Sequence, residues 1–285
     1  MILFSPRRGS SIPFIQHSTA SQVFTSKILA YLQSVASLGR LHSGGLPFVP
    51  KKFMRLAPFN REAYNSFLIE ALDWRLPASP VIYDVGANNG DFALAFQTAY
   101  PQAKITLFEP LAAHVARLER LKQTGGFRWM IHPVALGAND GELVIEVPEG
   151  QEAASSLHGF GEHYLKHNPG AGKTARQICQ VRRLDALDDA EGDAIDLLKI
   201  DVEGFEFAML EGAISTLERV HSMVVEVSRL RHAHERDCPI HRMVQLLGTA
   251  GFRLFRMKPT VINRNIDDRP LEYDLYFARV GADLP

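Results

Sequence analysis

The apolar positions of this chain change period from segment to segment, and the changes predict its elements. From Arg61 to about Trp74, Tyr64, Phe67, Leu68, Ala71 and Leu72 recur at helical spacing behind Asn60, a capping residue, and Pro77 and Pro80 stop the run. Val81, Ile82, Tyr83 and Val85 then form a short β-prone stretch, and Gly86 and Gly90 bracket a turn that opens onto the helical run Phe92 to Phe96. Strand Lys104 to Glu109, helix Leu111 to Gln123 with Gly125-Gly126 as its C-cap, and strand Arg128 to Leu136 repeat the rhythm. Asn139-Asp140-Gly141 is a hairpin signal, so Val134-Ala135-Leu136 is expected to pair with Leu143 to Val147. Gln151 to Ile178 is polar and unpatterned, an insertion or lid. The alternation resumes with strands Gln180 to Arg183 and Ile195 to Val202, helix Phe207 to Val220, strand Met223 to Val227, helix Ile240 to Ala250, and strands Phe252 to Met257 and Leu275 to Val280. Strand and helix in alternation predict an α/β fold with a mainly parallel, doubly wound sheet that binds its ligand beyond the carboxyl ends of the strands.

Composition adds one asymmetry. The 285 residues are 46% hydrophobic with a net charge of -1, which suits a globular core and gives no reason to expect a nucleic-acid partner. Residues 1–61 hold eight basic side chains and no Asp or Glu, so a +8 head leaves −9 on the remainder. Within that head, Val23, Phe24, Ile28, Leu32 and Val35 trace an amphipathic helix over Ser21 to Leu38. We therefore divide the chain into a basic N-terminal arm, 1–60, and a ligand-binding domain, 61–285, with a variable insertion at about 151–178. The arm is a candidate for peripheral membrane contact, with an organelle-targeting segment as the alternative. Two cysteines, Cys179 and Cys238, suit a reducing compartment, no run reaches the length of a membrane span, and a cytoplasmic location is expected.

The chemistry gathers at three strand ends. Gly86-Ala87-Asn88-Asn89-Gly90 lets the backbone approach a ligand where a Cβ would collide, next to the free N–H groups of a helix start. Glu109 ends the second strand, 19 residues after Gly90, where a carboxylate can accept hydrogen bonds from both ribose hydroxyls of an adenosine cofactor. A dinucleotide fingerprint would carry a glycine in place of Asn88, and a carboxylate from Asp84 facing the site would repel a pyrophosphate while suiting an ammonium group. S-adenosylmethionine, an adenosine with a sulfonium and no phosphate, fits better than NAD. In Leu198-Lys199-Ile200-Asp201-Val202-Glu203-Gly204, strand period sets Lys199, Asp201 and Glu203 on one side, a costly arrangement in a buried strand unless it serves a site.

Together, Asp84 to Gly90, Phe108-Glu109-Pro110, Val134-Ala135-Leu136-Gly137 and Leu198 to Gly204 resemble the FkbM family of S-adenosylmethionine-dependent methyltransferases over roughly Val81 to Val280. The resemblance implies a class I, Rossmann-like methyltransferase fold, a seven-stranded, mainly parallel sheet with its last strand antiparallel, here with an N-terminal helical extension. It implies methyl transfer to a hydroxyl of a sugar, polyketide or lipid-like small molecule. By that likeness Asp84, Gly86, Ala87, Asn88 and Gly90 line the methionine side, Glu109 the ribose and Ala135 the adenine, while Asp201 and Glu203 face the transferred methyl. An aliphatic hydroxyl needs a base, and Asp201, Glu203 or Glu226 at the end of the next strand is expected to supply it. Histidines His158, His163, His167, His232 and His234 are lesser candidates. No metal is expected, a divalent ion on Asp201, Glu203 and Glu226 being the lesser alternative. Two rival readings remain, an NAD-dependent oxidoreductase and a non-catalytic, cofactor-binding, membrane-associated scaffold. The acceptor and the oligomeric state are not legible.

Overall fold

A computed structural model describes residues 60–148, 174–187, 192–228, 239–262 and 270–281 of the chain. The basic arm, most of the predicted insertion and the five candidate histidines lie outside the described residues.

Helix α1 (Arg61–Asp73) begins as predicted, with the Asn60 side chain accepting from the backbone N–H of Glu62 and Ala63 at 3.1 and 3.0 Å. Its buried stripe, Tyr64, Leu68 and Ala71, packs on α2 (Asp91–Ala99), with Phe67 edge-on to Phe92 at 5.5 Å. Burying each large side chain there contributes about 1.5–3 kcal/mol. Tyr100 Oη donates to Trp74 O at 2.6 Å and fixes the end of α1 over the sheet.

Between these helices runs β1 (Val81–Val85), and β2 (Lys104–Phe108) pairs with it in parallel, as does β3 (Met130–His132) with β2. Helix α3 (Ala112–Gly125) connects β2 to β3 and ends at Gly126 with φ +69, the left-handed cap anticipated there. The main sheet is completed by β7 (Ile195–Ile200), β8 (Val220–Ser228), β9 (Phe252–Ile262) and β10 (Pro270–Arg279), with α7 (Pro239–Thr249) between β8 and β9. Its order is β3-β2-β1-β7-β8-β10-β9. The final strand, β10, runs antiparallel to both neighbours, so the expected class I methyltransferase architecture is present. Strand order reverses between β1 and β7, which opens a crevice at their carboxyl ends. Among the described residues no helix is long and apolar enough to cross a membrane.

Three elements depart from the sequence reading. The predicted strand Arg128 to Leu136 breaks at Pro133: β3 stays in the main sheet, and β4 (Ala135–Leu136) joins a second, three-stranded sheet of order β4-β6-β5. The expected β4–β5 hairpin is absent, because β6 (Thr174–Arg182) lies between, parallel to β4 and antiparallel to β5 (Gly141–Pro148). The turn does reverse the chain, but Asp140 accepts from Arg182 Nε at 3.1 Å and Arg183 N at 2.7 Å and so fastens it to β6. Consequently β6 starts at Thr174, and part of the presumed insertion is strand. Last, the single helix over Phe207 to Val220 is two, α5 (Glu206–Glu211) and α6 (Ile214–Leu217), because Asp185 on the short helix α4 (Leu184–Leu187) accepts from the N–H groups of Ser215 and Thr216 and starts the second.

Candidate active site

The turn after β1 is held in place from below. Gly86 has φ +79, and a Cβ there would stand 1.8 Å from the Asp201 backbone oxygen, so the tips of β1 and β7 touch only because this residue is glycine. Gly86 N and Ala87 N both donate to Phe108 O, at 3.0 and 3.2 Å, and Asp201 N donates to Val85 O at 3.0 Å, which locks the ends of β1, β2 and β7 together. Asn88 adopts φ +49, a left-handed conformation that asparagine tolerates, and its N–H then points at Glu109.

Asp84 corrects the sequence reading. It is fully buried and outside the described lining of the cleft, its carboxylate 3.1 Å from Lys199 Nζ. Lys199 also donates to Gly86 O at 2.8 Å and lies 3.2 Å from Asp201. Burial alone would pull the Lys199 pKa down, but the charges of Asp201 and Asp84 outweigh it and raise the pKa above the ordinary lysine value. The Asp84-Lys199 pair thus clamps the turn. Gly90 is likewise a packing residue: with φ +81, it leaves room for Leu118 and Leu121 of α3, which a Cβ would meet at 2.7 and 3.0 Å.

Above the turn lies a cleft of about 620 Å³ whose described lining includes Gly86, Asn88, Glu109, Ala135, Asp201 and Glu203, while Asp84, Ala87 and Gly90 are not in its wall. Phe108, Pro110, Val134, Leu136 and Ile145 supply an apolar flank. Glu109 is buried, and both carboxylate oxygens are oriented by backbone donors: Asn88 N to Oε2 at 2.8 Å and Leu111 N to Oε1 at 2.9 Å. No lysine or arginine is among the described residues of this wall.

A second cavity, of about 770 Å³, opens on the other side of Asp201, which lines both. Glu226, Asp274, Glu70, Lys199 and Lys258 bring charge to it, and Phe67, Phe92, Val224 and Pro259 apolar surface. Lys258 sits 3.4 Å from Glu70 and 3.6 Å from Asp274. Burial first, then repulsion from Asp201, Glu272 and Glu203, pushes Glu226 well above the carboxylate range, and it shares a side-chain hydrogen bond with Asp201. Asp274 is pushed up to about 7, by burial and then by Glu70, despite Lys258.

The predicted triad does converge, but not by strand periodicity. Strand β7 stops at Ile200, and Glu203 is swung back by a left-handed turn, φ +57 at Glu203 and +102 at Gly204. Such a conformation is uncommon for a non-glycine residue and clusters at functional sites. Carboxylate oxygens of Asp201, Glu203 and Glu226 lie within 4.8 Å of one another, so the divalent-ion alternative keeps a workable geometry. Sequence reasoning missed Lys199 as the clamp, although a lysine between Leu198 and Ile200 of a buried strand was a signal. It also missed Glu70, Lys258 and Asp274, which no motif marks, and His114, which lines the first cleft.

The methyltransferase FkbM domain model matches residues 84–254. Among curated proteins the chain is 27% identical to AMB antimetabolite synthetase AmbE of Pseudomonas aeruginosa over 65% of its own length, spanning 11% of that much longer protein. It is 26% identical to 2-O-methyltransferase NoeI of Sinorhizobium fredii, covering 59% of this chain and 71% of that one. Methyltransferase sdnD of Sordaria araneosa is 31% identical, over 53% of this chain and 67% of that one.

Proposed function

Because this chain belongs to the methyltransferase FkbM domain family, we propose that it uses S-adenosylmethionine to methylate a hydroxyl oxygen of a sugar, polyketide or lipid-like small molecule. The observation that carries this reading is the position of Asp201, in the wall of both cavities, where a donor on one side would meet an acceptor on the other. NoeI, named a 2-O-methyltransferase, supports oxygen as the methylated atom.

The cofactor-side cleft fits such a donor. Its charged described lining, Glu109, Asp201 and Glu203, favours a cation-bearing, phosphate-free nucleoside, whereas a pyrophosphate would meet three carboxylates and no counter-charge. The nicotinamide-dependent alternative has no support from the family match. Glu109 would accept from the ribose hydroxyls, the backbone at Gly86 and Asn88 would flank the methionine end, and Ala135 with its apolar neighbours would face the adenine.

When bound, S-adenosylmethionine supplies a methyl carbon already activated by its sulfonium for in-line displacement by oxygen. The protein must then align the acceptor and take up its proton. Asp201 is our assignment for the base: Lys199 Nζ lies 3.2 Å from its carboxylate, and beside it burial and neighbouring acids push the hydrogen-bonded Glu226 carboxyl well above the carboxylate range. Glu203, turned toward the same point, orients the hydroxyl.

The test supplies purified protein with isotopically labelled S-adenosylmethionine and a cell extract, then follows metabolites by mass spectrometry. A labelled product heavier by one methylene, formed on oxygen, is the expected result. Cofactor binding without methyl transfer to any hydroxyl compound would instead favour the scaffold reading.

A further inference from the structure

We propose that His114 is a positioning residue for the cofactor's ribose, acting through Glu109. The inference rests on the ribose role given to Glu109 above. His114 stands in the first turn of α3, only 6% exposed, and lines the cofactor-side cleft. Its Nδ1 lies 3.4 Å from Glu109 Oε1 and has no hydrogen-bond partner among the described residues. A buried polar atom left unpaired is costly, and the nearest group able to satisfy it is the carboxylate whose other contacts are fixed.

Those contacts define what His114 adds. The N–H groups of Asn88, in the turn after β1, and of Leu111, the N-cap of α3, each engage one oxygen of Glu109. They settle where the carboxylate sits. A third donor, His114 Nδ1 at Oε1, settles its rotation: Oε1 then faces two donors, and the lone pair left on Oε2 is the one that can meet a ribose hydroxyl in the cleft. The 3.4 Å spacing is a loose contact of the kind that tightens on ligand binding. His114 therefore contributes to affinity only when the ligand carries the ribose 2′-hydroxyl for Glu109 Oε2 to grip.

The test compares His114→Leu with His114→Asn, two side chains of nearly equal size that differ in the polar atoms near Glu109. Binding of S-adenosylhomocysteine and of its 2′-deoxy analogue is measured by calorimetry, with unfolding of the apoprotein followed alongside. We expect His114→Leu to bind S-adenosylhomocysteine about tenfold more weakly than wild type, a loss of about 1.4 kcal/mol. His114→Asn should recover most of it. With the 2′-deoxy analogue the three proteins should agree within about threefold. Equal binding of S-adenosylhomocysteine by the Leu and Asn variants, or a tenfold gap that persists with the 2′-deoxy analogue, overturns the inference by leaving His114 a packing role only. Failure of wild type itself to distinguish the two ligands overturns the ribose role of Glu109, and the proposal with it.

Discussion

The two sides of Asp201 are built on opposite terms. On the side proposed for the cofactor, the turn after β1 is held by close backbone contacts and by a lysine between two carboxylates. On the acceptor side, Glu226 and Asp274 are crowded by other acids and buried, and both are driven toward their protonated forms. The difference separates two tasks. On our proposal, a braced cradle positions the donor, while a cavity whose carboxyls are pushed toward their protonated forms is poised to take up or share a proton.

The contrast can be broken at the cradle first. Gly86→Ala drives a methyl group into the Asp201 carbonyl at a positive φ, so we expect a stability loss above about 4 kcal/mol, or no folded protein, in denaturant unfolding. Gly90→Ala, whose neighbours are leucine side-chain ends, should cost less than Gly86→Ala. A mild effect at Gly86 would show that the two strand tips have room to separate.

Next in size is the clamp. Lys199→Met leaves Asp84 buried without its cation and should cost about 3–5 kcal/mol at neutral pH. Asp84→Asn added to it should restore most of that stability. If the double variant is as unstable as the single one, lysine packing rather than charge holds the turn.

A smaller effect sharpens the acceptor side. Asp274 titrates at about 7 when folded, against about 3.8 as a free side chain, so the folded state holds a proton that the unfolded chain gives up between those values. Stability from this group is therefore present at low pH and declines as pH rises from about 4 to about 7. Asp274→Asn should flatten that decline, raising the melting temperature by about 2–4 °C at pH 8 and hardly at all at pH 4. An equal gain at both pH values would remove Asp274 from the account. The smallest expected effect is that of a chelator, which should leave turnover unchanged. Loss of activity restored by magnesium would assign the Asp201, Glu203 and Glu226 cluster to an ion.

Much of this was legible in the residues because it is local. The glycine turn, the Asn60 cap, the Gly126 cap and the strand-end acids are short-range signals, and the alternation of periods fixed the fold class. The failures were non-local. Asn139-Asp140-Gly141 specifies a reversal but not a partner, which turned out to be β6, some forty residues on. A period-2 reading carried Lys199, Asp201 and Glu203 along one strand, yet Glu203 reaches the site through a left-handed turn that strand periodicity does not describe. Asp84 was placed by its neighbours in sequence, whereas its orientation is decided by Lys199, 115 positions later.

The most direct test of the central claim is Asp201→Asn, measured for methyl transfer at saturating cofactor and for S-adenosylhomocysteine affinity on the same preparation. The account predicts turnover lower by about 10²–10⁴-fold, the usual loss for a general base, with affinity changed by less than about threefold. Near-normal turnover with cofactor bound would contradict it.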